Sequence, residues 1–128
     1  CDCAEKLLAK HPSKGVKVIC DLQQDWTMFE DESFDLLCAF FLLEHIEDLE
    51  HFFSEAYRVL KPKGEFLICN EDYQDPERPH EHDALKEILP ITIYENEAVI
   101  SALHQAGFKK VTLWLHHNGD WVSFLAQK

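Results

Sequence analysis

The sequence is poor in glycine, in basic side chains and in long apolar runs, and each shortage removes a class of function. Four glycines stand among 128 residues, at positions 15, 64, 107 and 119, with no two close together. No glycine-rich loop that would let the backbone close on a ligand is encoded within these residues. Twelve Lys and Arg face 24 Asp and Glu, a formal charge of −12. That balance repels phosphate backbones and anionic headgroups, so neither a nucleic-acid nor a membrane partner is expected; its plainest consequence is solubility. No run approaches the roughly twenty apolar residues of a membrane helix, and no basic segment leads into a short apolar one as in a secretory leader. His80-x-His82-Asp83, His116-His117 and Cys1-x-Cys3 are the only ligand-type clusters. None has the CxxC or HxxxH spacing of a zinc site, so no metal is expected.

What is present is core-forming material. The hydrophobic share is 46%, with nine Phe, enough for one domain over residues 1–128. Five cysteines, an odd number without a close framework, point to a reducing, cytoplasmic setting. Cys20, Cys38 and Cys69 fall in strand-like segments, where Cys serves as a small buried hydrophobe. The chain opens on Cys in mid-pattern, which reads as a processed, cropped or fragmentary piece.

The organising stretch is Phe34 to Asn70. It runs from an unbroken apolar segment, FDLLCAF, through helical spacing of Leu49, Phe52, Phe53, Ala56 and Leu60, to a Pro-x-Gly turn and a second apolar segment, GEFLICN. Strand, amphipathic helix and strand form a βαβ unit, and strands apolar on both sides imply a parallel sheet covered by helices. Upstream, Asp2 ends a short stub, Glu5 to Lys10 is a short helix with Leu7 and Leu8 inward, and GVKVICD is a strand ending at Asp21. Residues 71–90 form an irregular, variable insertion with three prolines, within which Asp83 to Leu89 has helical character. A helix then carries Val99, Ile100, Leu103 and Ala106 on one face and closes at Gly107. Asn118-Gly119 joins two last strands as an antiparallel hairpin. The expected fold is α/β and Rossmann-like: a mostly parallel sheet with helices on both faces and a C-terminal β-hairpin.

In such sheets ligands bind beyond the carboxyl ends of the strands. Asp2, Asp21 and the segment Ala39-Phe40-Phe41 fall at such ends. A strand-end carboxylate suits ribose hydroxyls or an exocyclic amine, and an apolar strand end suits a purine face; equally, Asp is a common turn residue.

The chain resembles the class I S-adenosylmethionine-dependent methyltransferases of small-molecule type. The resemblance is carried by Val18-Ile19-Cys20-Asp21, Leu43-Glu44-His45-Ile46, the run from Arg58 to Gly64, Ala106-Gly107-Phe108 and the terminal hairpin. It implies S-adenosylmethionine as cofactor and a small-molecule acceptor. Asp2 would then bind the ribose, and Asp21 with Leu22 the adenine. Ala39 and Phe40 would line the donor, Glu44 and His45 would lie on the acceptor rim, and His45 would be the candidate base; Glu71 and Asp72, at the carboxyl end of the GEFLICN strand, and Tyr73 in the insertion are by position further candidates to face the acceptor. It further implies that the family's glycine-loop strand and helix would precede Cys1, so the domain reads as N-terminally truncated and inactive alone. Open sheet edges would then favour a homodimer. The alternative is a non-catalytic interaction module on a degenerate methyltransferase scaffold.

Overall fold

The computed structural model describes residues 1–72, 91–116 and 121–128. The order is α1 (Glu5–Lys10), β1 (Phe34–Phe40), a 3₁₀ turn (Leu43–His45), α2 (Leu49–Val59), β2 (Leu60–Glu71), α3 (Asn96–Gln105), β3 (Lys110–Leu115) and β4 (Trp121–Gln127).

Helix α2 follows from its spacing. Leu49, Phe52, Phe53, Ala56 and Val59 are all buried, an i, i+3, i+4, i+7 stripe that faces the sheet. Asp48 caps its start, Oδ1 accepting from the His51 N–H at 2.9 Å, a contact that contributes about 1 kcal/mol. The helix ends where Leu60 turns extended, two residues before Pro62. Phe52 and Phe53 meet Phe66 of β2 with ring centroids 6.1 Å apart in both pairs. Phe108 packs on the other side of Phe66 at 6.3 Å.

The sheet order is β1-β2-β4-β3. Its β1–β2 pair is parallel, and the β2–β4 and β3–β4 pairs are antiparallel. The βαβ unit and the closing hairpin strands are therefore as the pattern requires, and among the described residues the sheet is mixed. The Asn118-Gly119 turn lies outside the described residues, as does the helical stretch read over Asp83 to Leu89.

The Pro-x-Gly turn is folded into β2 itself. From Phe34↔Leu60 to Leu36↔Glu65, β1 advances two residues while β2 advances five. Lys63 takes φ 69° in this bulge, and Gly64 is required beside it, because a Cβ there would lie 2.8 Å from the Lys61 carbonyl oxygen.

Four local expectations are corrected. GVKVICD is not a strand: it makes a single parallel bridge, Asp2↔Ile19, held by Asp2 N–H to the Val18 carbonyl and Cys20 N–H to the Asp2 carbonyl, at 3.2 and 3.1 Å. With so short a partner no ladder propagates. Leu7 points out of α1, 66% exposed, and α1 buries no residue. Cys38 is exposed and Cys69 half-buried; of the three strand-region cysteines only Cys20 is buried. The strands are also not apolar-packed on both faces. Leu37, Ala39, Phe66 and Ile68 share the face covered by α2 and α3. Leu36, Cys38 and Phe40 share the other, where Leu36 is 53% and Phe40 57% exposed. Helices were expected on both faces; among the described residues they pack on one.

Candidate functional site

The carboxyl ends of β1 and β2 and the Asp2–Ile19 bridge lead to two concavities. The larger, about 430 Å³, lies between residues 1–29 and the open edge of β1, whose Leu36 and Cys38 on one face and Leu37 and Ala39 on the other all line it. Its walls are apolar and include Val18, Leu22, Trp26, Phe29, Leu37 and Ala39. That volume lies within the range of small-molecule sites.

The wall from Leu22 to Phe29 has no regular structure of its own, and Arg58 of α2 fastens it. The guanidinium donates to the Trp26 and Phe29 carbonyl oxygens at 3.0 Å each, to both oxygens of Glu55 at 2.9 and 2.8 Å, and to Asp31 at 2.6 Å. Glu55 accepts in turn from the Trp26 N–H at 2.7 Å. Its hydrogen bond from Arg58 holds the Glu55 carboxyl below the usual range, against desolvation, which pushes the other way. The Trp26 indole N–H donates to the Leu22 carbonyl, and its ring lies edge-on to Phe52 with centroids 5.4 Å apart. Trp26 is thus a site-shaping residue that periodicity missed, because it sits in a loop whose order comes from a distant arginine.

Of the residues singled out for a donor, Leu22 and Ala39 line the larger cavity. Asp2 is a bridged residue and Asp21 follows the bridged Ile19 by two positions; neither lines the cavity. Asp2 Oδ1 accepts from the Ala4 N–H at 2.8 Å and Asp21 Oδ1 from the Gln23 N–H at 3.0 Å; in each the second oxygen keeps its capacity to accept. Phe40 projects from the opposite sheet face and lies outside the lining. Burial pushes the Cys20 thiol upward, which disfavours the thiolate and a nucleophilic role.

The second concavity is small, about 20 Å³, at the carboxyl end of β2. Glu44, Glu71, Asn70, Thr92, Tyr94 and Asn96 are among its lining residues. Glu44 and Asn70 are 8% and 7% exposed, joined by Asn70 Nδ2 donating to Glu44 Oε2 at 2.7 Å. The Thr92 N–H donates to the Glu44 carbonyl oxygen at 2.9 Å, and the Tyr94 hydroxyl to the Ile46 carbonyl oxygen at 2.6 Å. These contacts draw the chain entering α3 onto the 3₁₀ turn. Buried Asp72 accepts from Asn96 Nδ2 at 3.5 Å. Of the residues expected at an acceptor rim, Glu44 and Glu71 therefore share this concavity, and Asp72 reaches it through Asn96. Tyr73 lies outside the described residues. His45 is exposed on the 3₁₀ turn and lines neither concavity. Asn70 is the residue sequence reading passed over; its signal was a polar side chain continuing the inward alternation of Phe66 and Ile68.

A family profile described as "Methyltransferase domain" matches residues 1–68, more than half of the chain. A demethylmenaquinone methyltransferase of Tropheryma whipplei is 34% identical over 65 residues, 48% of this chain and 26% of the relative. A probable S-adenosylmethionine-dependent methyltransferase of Mycolicibacterium smegmatis is 28% identical over 110 residues, 77% of this chain and 42% of the relative. The chain thus spans about a quarter to two-fifths of the length of these curated relatives. Among solved structures, an S-adenosylmethionine-dependent methyltransferase of Mesorhizobium loti superposes with TM-score 0.76 at 20% identity, covering 98% of this chain and 77% of that one; at that identity the likeness is one of fold.

Proposed function

The chain belongs to the S-adenosylmethionine-dependent methyltransferase family, and we propose that it carries the adenosine-facing and acceptor-facing part of an enzyme that methylates a small molecule. The observation that carries this reading is an apolar cavity of about 430 Å³ walled by Leu22 and Ala39, with Asp2 and Asp21 next in sequence to its lining residues Cys1 and Leu22.

When bound, the donor supplies an electrophilic sulfonium methyl group. Around it, the free oxygen of Asp2 accepts from the ribose hydroxyls and that of Asp21 from the adenine amine. Leu22 and Ala39 would hold the ring between apolar surfaces. Glu44, Glu71 and Asp72 would orient the acceptor; His45, exposed and outside both concavities, has no placement that gives it the role of base. Displacement at a methyl group depends mainly on in-line approach and exclusion of water, which these apolar walls favour. The five free thiols support a reducing, cytoplasmic setting, and the exposed side chains of β1 support self-association into a dimer.

Calorimetric titration with S-adenosylhomocysteine tests the reading on the whole gene product. Binding that weakens at least tenfold in both Asp2→Ala and Asp21→Ala is expected; absence of heat, or unchanged affinity in both variants, overturns it. The exposed face carrying Leu36 and Phe40 favours a second reading, a non-catalytic interaction module, and the same absence of heat is what that reading requires.

A further inference from the structure

The small concavity at the end of β2 holds an imbalance of hydrogen-bonding groups. Glu44 is a carboxylate acceptor, 8% exposed, that among the described residues receives one side-chain hydrogen bond, from Asn70 Nδ2 at 2.7 Å. That bond fixes the orientation of the Asn70 amide, because the flipped rotamer would set carbonyl oxygen against carboxylate oxygen. Asn70 Oδ1 is consequently turned away from Glu44. It is buried in a residue 7% exposed and has no hydrogen-bond partner among the described residues.

Buried polar atoms are nearly always paired, and leaving one unpaired costs on the order of 1–3 kcal/mol. Asn70 and Glu44 border the same space of about 20 Å³, which has room for one water-sized group. Of these two side chains only the Asn70 amide donates, and one of its two N–H groups is committed to Glu44. The group that completes this site brings several N–H donors and, opposite a buried carboxylate, a positive charge. A formal charge of −12 over the chain draws cations toward it.

We infer that Glu44 and Asn70 form a recognition subsite for a primary ammonium group, so that the acceptor is a small molecule bearing an amine. This deepens the methyl-transfer reading and rests on it only for the word acceptor; the subsite itself is a binding property of the chain. Glu44 supplies the charge, Asn70 Oδ1 a second acceptor, and the small volume excludes bulky substituents on nitrogen. A specificity role, rather than proton transfer, follows for both.

The test follows the Asn70 side-chain amide in ¹⁵N-correlated NMR spectra during titration of the 128-residue chain with methylammonium chloride. Methanol, tetramethylammonium chloride and sodium chloride serve as comparators. A saturable shift with methylammonium is expected, at least tenfold weaker with each comparator and at least tenfold weaker in Glu44→Gln. No saturable shift, or an equal response to methanol, assigns the space to a structural water and overturns the inference. Equal responses to tetramethylammonium or sodium reveal diffuse charge attraction and overturn it too. If Glu44→Gln loses spectral dispersion, the comparator series on the parent chain still decides. The methyl-transfer reading fails separately, through S-adenosylhomocysteine, so either can fall while the other stands.

Discussion

Replacing Arg58 with Ala should loosen the wall of the larger cavity and destabilise the whole domain. The Trp26 and Phe29 carbonyl oxygens would each lose a charged donor now at 3.0 Å, about 1 kcal/mol apiece. Glu55, whose side chain is 14% exposed, would lose its bidentate partner and keep the Trp26 N–H. With the Arg58 side chain 29% exposed, solvent limits that loss to about 1 kcal/mol more. Asp31, 73% exposed, adds little. The total is about 3 kcal/mol, a fall in Tm of about 10 °C for a domain of this size. Arg58→Lys should cost roughly half, since an ammonium keeps the charge but cannot span Glu55 and two carbonyls at once. Urea unfolding of the parent, Arg58→Ala, Glu55→Gln and the double variant measures both the loss and the coupling. An Arg58→Ala variant within about 0.5 kcal/mol of the parent, or strictly additive single effects, would refute the clamp.

Glu55 gives a pH dependence of known sign. Its folded carboxyl lies below the ordinary value, about 4.3 in an unfolded chain, so its stabilisation is present above that pH and disappears as pH falls through the folded value. Urea midpoints at pH 6 and pH 3 should differ less in Glu55→Gln than in the parent. Gly107 sits at φ +111°, and a Cβ there would lie 3.0 Å from Tyr57 Cζ. Gly107→Ala should therefore lower stability by about 1–2 kcal/mol in thermal melts, and a neutral result would argue against that backbone. Asp48→Ala should cost about 1 kcal/mol through the lost cap, with Asp48→Asn retaining most of it; equal losses would point to charge rather than the hydrogen bond to His51 N–H.

By itself the sequence determined the elements whose signal is local. The stripe from Leu49 to Val59 and the Asp48 cap specify α2. The apolar runs around it specify β1 and β2 as a parallel pair, and Gly107 ends the helical pattern of α3. The position of Ala39 near the end of β1 was legible for the same reason, since an apolar run counts residues to its end. Tertiary structure decided whatever depends on a partner distant in the chain. GVKVICD has strand propensity, yet a ladder needs a neighbour, and Asp2 offers one bridge. Leu36, Cys38 and Phe40 look as apolar as Leu37 and Ala39, but only one face of β1 meets α2 and α3. Trp26 is held by Arg58, 32 residues away, and Asn70 by Glu44, 26 residues away. Pairings across such separations leave no periodic trace in a sequence, because they arise only when packing brings the donor and the acceptor together.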